Sequence, residues 1–179
     1  MIAEVIDGDL HLSPRPAFEH AASATFLISD LNGFNRKPGG PSGPGGWWIL
    51  FEPEFHLGAG PDILVPDVAG FRRDRVPVLP RGPFSALPPD FICEVLSPRT
   101  ASRDRVAKMR IYARERVGHL WLVDPAERTV EVYRLQADRW LLLQTVAGNQ
   151  PARLEPFDAL EVDLERWWGE TPDPPELEK

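Results

Sequence analysis

Phe91-Ile92-Cys93-Glu94-Val95-Leu96 decides how this chain is read. Every residue but Glu94 is apolar, the run is short, and Ser97-Pro98 closes it, which describes a β-strand. In a strand alternate residues share a face, so Glu94 lies with Ile92 and Leu96 while Phe91, Cys93 and Val95 point the other way. Both faces are apolar, so the strand should be central and covered on both sides. An ionised carboxylate left unpaired there costs roughly several kcal/mol. A metal ion, a basic partner or a catalytic duty is what retains such a group.

A second carboxylate has a similar setting in Ile63-Leu64-Val65-Pro66-Asp67-Val68, within a strand expected over Ile63 to Phe71. Asp67 then shares its face with Val65 and Ile63. If the two strands are neighbours, Asp67 and Glu94 point to one side at the same depth. Two such carboxylates suit a hard cation, Mg²⁺ or Mn²⁺, which takes oxygen ligands and keeps several waters. The ion would polarise a phosphodiester and activate a water. Lys108 follows in a helix expected from about Ser102 to Arg116, with Thr100 or Ser102 as cap and Gly118 as stop. Glu94 stands roughly 10 Å before the end of its strand, and Lys108 roughly 9 Å into the helix. A helix folded back along the strand brings them side by side. Asp104, Lys108 and Tyr112 form one stripe of that helix, so Tyr112 could line the same place.

Lys108 also stands out by composition. Of 20 lysines and arginines only Lys37, Lys108 and Lys179 are lysines, and Lys108 alone falls in an expected regular element. A compact ammonium differs from a guanidinium where its pKa must be tuned.

The 179 residues, 42% hydrophobic and 26% charged, suit one globular domain, placed at 1–170, with a disordered acidic tail at 171–179. No apolar stretch approaches the ~20 residues of a membrane span, and the acidic start (Glu4, Asp7, Asp9) is unlike a secretory signal. The single Cys93 excludes an intrachain disulfide and a cysteine-based zinc cluster. These features together point to the cytoplasm. A net charge of −7 speaks against nucleic-acid binding in general, although a nuclease metal site is itself acidic.

The remaining elements are a strand or arm over 1–12, a helix over Pro16 to Leu31, a Gly/Pro-rich loop over Asn35 to Gly46, and a strand over Trp47 to Leu57 interrupted at Pro53. Arg72 to Asp90 reads as an extended loop. Strands follow over His119 to Val123, Thr129 to Leu135 and Trp140 to Val146, with a short strand and turn over Leu154 to Trp168. Strands interleaved with two helices give a mixed α/β sheet.

Pro66-Asp67 in one strand, then E-V-L-S-P at 94–98, D-R-x-x-K-x-x-x-Y at 104–112 and W-L-V-D-P at 121–125 resemble the Uma-two family of restriction-type endonucleases. That family looks like a branch of the PD-(D/E)XK nucleases, and the similarity covers roughly residues 10 to 165, most specifically Pro89 to Pro125. The resemblance implies a restriction-endonuclease-like core, a mixed sheet flanked by helices. It further implies that Asp67 and Glu94 bind the metal and that DNA is the substrate. The strict motif places lysine two residues after the acid, where this chain has Leu96; Lys108 would be supplied from the helix instead.

Plainer readings stand beside these. Asp67 after Pro66 could begin a turn, Glu94 could pair with a buried arginine, and Lys108 could be an exposed i,i+4 partner of Asp104. Glu19, His20 and Glu54 are candidates to complete the metal shell, each also at home on a surface. Arg72, Arg73, Arg75 and Arg81 could contact phosphates or simply be solvated. The chain is thus expected to be a metal-dependent endonuclease cleaving DNA, in a homodimer if two strands are cut. The alternatives are a degenerate nuclease fold acting as a nucleic-acid-binding adaptor, and an unrelated hydrolase or structural protein.

Overall fold

The computed structural model describes residues 1–98 and 101–169. The expected Thr100 cap and the acidic tail lie outside them. A six-stranded mixed sheet forms the centre, in the order β11 (Arg139–Ala147), β10 (Thr129–Gln136), β9 (His119–Asp124), β8 (Phe91–Val95), β6 (Val68–Arg72), β3 (Trp47–Phe51). β8 runs parallel to β9 and antiparallel to β6. The Glu94 strand is therefore central, as its two apolar faces require.

Each face of β8 meets its own core. Phe91, Cys93 and Val95 pack with Leu27 of helix α1 (Phe18–Asp30), with Leu31 just past its end, and with Phe157 and Trp167 from the C-terminal segment. Ile92 and Leu96 pack with Ile111, Tyr112 and Val117, and with Phe55 and Leu64 of a second sheet. That sheet has five strands in the order β2 (Asp9–Ser13), β1 (Ile2–Ile6), β5 (Asp62–Leu64), β4 (Glu54–Leu57), β7 (Phe84–Ser85). Residues 1–12 thus contribute a β1–β2 hairpin, turned at Asp7-Gly8 where both φ are positive, in place of a single arm.

Two expected strands are each two strands in different sheets. Trp47 to Leu57 breaks at Pro53 into β3 and β4, and Glu52 beside it takes a left-handed φ of 43°. Ile63 to Phe71 breaks into β5 and β6, with Val65-Pro66-Asp67 crossing between the sheets. Proline has no N–H to give a ladder, so both crossings fall at the residue that could not stay in it. Asp67 is therefore on a crossing segment and not inside a strand.

The helix after β8 comprises α2 (Ala101–Arg103), a π-helical turn (Asp104–Lys108) and α3 (Met109–Arg114). Ser102 lies inside its first turn, and the left-handed residue that ends it is Arg116 (φ 64°), not Gly118. Among the described residues no helix is long and apolar enough to cross a membrane.

Candidate active site

The ladder builds the site. Val68 pairs with Cys93 across β6 and β8, so Asp67 stands just before that ladder begins, close enough for its charge to act on Glu94. Asp67 Oδ2 accepts the Val95 N–H at 2.7 Å, which holds the crossing segment against the end of β8. On its other side the same oxygen lies 3.4 Å from His20 Nε2 of α1. Burial pulls the His20 pKa down, but its bond to Asp67, the Asp67 charge, the Val95 backbone and Asp104 raise it overall. His20 Nδ1 is buried without a hydrogen-bond partner.

Glu94 points to the face that carries α3 and the second sheet. Its Oε1 accepts the Tyr112 hydroxyl at 2.5 Å and lies 3.2 Å from Lys108 Nζ. The partner of the buried carboxylate is therefore this lysine, not an arginine. Lys108 Nζ is also 2.9 Å from Glu4 Oε1 and 3.3 Å from Asp104 Oδ1. The π turn puts Asp104 and Lys108 inward together, so the pair expected on the surface is buried, Asp104 being 3% and Lys108 5% exposed. π turns inside helices are frequent at functional sites.

Glu4 is the residue that sequence reasoning passed over. It is buried, and its Oε1 also accepts the Val65 N–H at 3.0 Å. The signal was available: Ile2-Ala3-Glu4-Val5-Ile6 is a lone carboxylate in an apolar strand, the same pattern that singles out Glu94.

Three buried carboxylates, Glu4, Glu94 and Asp104, thus surround one buried lysine, with a fourth, Asp67, acting on Glu94 nearby. Burial pushes the Glu94 pKa well up; Lys108 opposes this, and Asp104, Asp67 and Glu4 add to it. Burial would lower the Lys108 pKa, but Glu94, Asp104 and Glu4 outweigh it, so the ammonium stays protonated. Burial and Glu94 together raise the Tyr112 pKa, leaving its hydroxyl a donor. An excess of buried negative charge suits a cation. Among the described residues no group of three or more His, Cys, Asp or Glu side chains forms a ready-made metal cage. The donors that fit are Asp67 and Glu94, and a hard divalent ion would keep water in its other positions.

Asp67, Glu94, Lys108, Glu4, Asp104 and His20 line one cavity of about 500 Å³. Glu19 and Glu54 are not among its lining residues. Glu19 is exposed on α1; Glu54 pairs with His56 at 2.8 Å in β4 and lines a separate pocket of about 120 Å³. The arginines at the end of β6 and after it are largely engaged. Arg72 binds Asp74 at 2.5 Å, Arg73 stacks 3.2 Å over Trp48, and Arg75 binds Asp90 at 2.8 Å, while Arg81 is exposed.

A mixed sheet that carries an acid pair at the ends of two adjacent strands, with a lysine delivered from the next helix, defines a nuclease-like α/β fold. The crystal structure of "a putative nuclease belonging to DUF820" from Anabaena variabilis superposes with a TM-score of 0.71, covering 93% of this chain and 89% of that one at 24% identity. The family model for Uma2, described as "putative restriction endonuclease", matches residues 2–167. The chain belongs to that family. No curated protein matches it.

Proposed function

We propose that this protein is a Mg²⁺- or Mn²⁺-dependent endonuclease that hydrolyses DNA phosphodiester bonds. The observation that carries this reading is that Asp67 and Glu94 line one cavity beside a protonated Lys108. The bound metal would polarise the phosphoryl oxygen and lower the pKa of a water. Asp67 and Glu94 would hold the ion. Val95 N–H fixes the Asp67 carboxylate, and Tyr112 fixes that of Glu94. Lys108 supplies fixed positive charge where the phosphoryl group gains negative charge. His20, hydrogen-bonded to Asp67 and facing the cavity, can relay a proton at Nε2.

The test uses closed circles, single-stranded and supercoiled, incubated with purified protein across several divalent metals. Metal-dependent opening of circles, lost in EDTA and in Asp67→Ala and Glu94→Gln, is the expected result. Cleavage that survives both substitutions comes from a contaminant and removes the proposal. Two observations favour a second reading, a nuclease fold that binds nucleic acid without turnover: Lys108 is held by three carboxylates, and Leu96 occupies the strict motif's lysine position. DNA binding with no cleavage in any metal would select it.

A further inference from the structure

The cavity has a buried acidic floor and an apolar approach. Glu94, Asp104, Lys108 and Glu4 at the floor are all at most 5% exposed. Above them stand Ile2, Val65 and Pro16, and the rim is formed by the exposed Pro14, Ala17 and Pro98. Its volume of about 500 Å³ is in the small-molecule range. A phosphate embedded in a stacked duplex cannot be brought to such a floor without carrying its base pair along. An unstacked nucleotide can enter, with its base against aliphatic and proline side chains and its phosphate below. Enzymes that do chemistry on a base inside the duplex meet an analogous constraint by taking single strands or extruding the nucleotide.

The charge distribution agrees. Duplex binding draws on many phosphate contacts from a basic surface, whereas this chain carries −7 overall. Arg72, Arg73 and Arg75 are occupied by Asp74, Trp48 and Asp90. Arg15, at the cavity rim, has a side chain 75% exposed and 4.0 Å from Glu52, well placed for a single phosphate.

Resting on the nuclease reading above, we infer that the site takes one unpaired nucleotide of single-stranded or frayed DNA, and discriminates against intact duplex. Arg15 holds the neighbouring phosphate at the rim, and the Ile2–Val65–Pro16 wall receives the base.

The experiment measures fluorescence anisotropy of wild-type protein in Ca²⁺ with a labelled oligothymidylate and a blunt duplex of the same length. Single strand is expected to bind at least about tenfold more tightly, the scale set by roughly 55 Å² of apolar base surface leaving water. Ala17→Trp, which fills the rim, should erase that preference, and Arg15→Glu should weaken single-strand binding without touching the floor. Thermal melts establish that each variant folds, and either folded variant is decisive. Equal or tighter binding of the duplex overturns the inference, as does wild-type single-strand affinity in a folded rim variant. If the preference holds but no metal supports cleavage, the pocket's single-strand specificity stands and the enzymatic reading falls.

Discussion

Lys108 Nζ is closer to Glu4 Oε1, at 2.9 Å, than to Glu94 Oε1, at 3.2 Å. The helix that follows the central strand is thus tied to the first strand of the chain at least as closely as to the central one. Because Glu4 also accepts the Val65 N–H, one carboxylate joins the β1–β2 hairpin, the crossing segment that carries Asp67, and the lysine helix.

Glu4→Ala and Glu4→Gln separate the two roles of that carboxylate. Gln keeps an acceptor for Val65 N–H and removes one of four crowded negative charges, so it should change stability little. Ala leaves a buried N–H unsatisfied and should lose about 1–3 kcal/mol relative to Gln. Urea unfolding of the pair provides the measurement, and equal midpoints would mean that Glu4 does not anchor the crossing.

Lys108→Met leaves Glu4, Glu94 and Asp104 facing one another in a buried space, and should lose about 3–5 kcal/mol. Lys108→Arg retains the charge but brings a planar fork where a compact head group sits. It should fold and bind Mn²⁺ yet lose cleavage. Wild-type activity in Lys108→Arg would confine the lysine to charge neutralisation.

Glu94→Gln should keep the fold for a reason visible in the contacts. Tyr112 can still donate to the amide oxygen, and Lys108 retains Glu4 and Asp104. Removing one buried negative charge should raise the metal-free melting temperature by about 2–4 °C, equivalent to ~1 kcal/mol at this size. The stabilisation that millimolar Mn²⁺ confers on wild type should vanish, since only a ligand bound to the native state stabilises it. A fall in metal-free stability with the Mn²⁺ shift unchanged would make Glu94 a structural residue.

The pH dependence of the metal-free protein has a defined sign. The folded-state pKa of Glu94 lies above its ordinary 4.5, and that of His20 above 6.5. A group raised in the folded state contributes stability at pH below its unfolded pKa, and the contribution is lost as pH rises through the folded value. Unfolding free energy should therefore decline as pH rises from the ordinary value of each group, 4.5 and 6.5, through its higher folded one. The decline should be shallower in Glu94→Gln, and an unchanged slope there would show that the carboxyl does not titrate in this range.

What the sequence determined by itself is local. Alternation along Phe91–Leu96 assigned Glu94 to the face shared with Ile92 and Leu96, and the two cores on either side of β8 match that assignment. The central position of the strand, the mixed sheet and the helix bearing Lys108 followed from the same patterning, because burial on both faces leaves little choice of neighbour. The rest depended on long-range partners. The sequence marks Pro53 and Pro66 as breaks, but not that the chain changes sheets there, since a proline only forbids a ladder bond and does not choose the next partner. Asp104 and Lys108 look like a surface pair until a π turn and a distant hairpin bury them. Glu4 is separated from Lys108 by most of the chain, and only tertiary packing brings its carboxylate to the ammonium. Buried charges must find compensation wherever the fold can deliver it, so the partner of a buried carboxylate is decided by the closed structure and not by its neighbours in sequence.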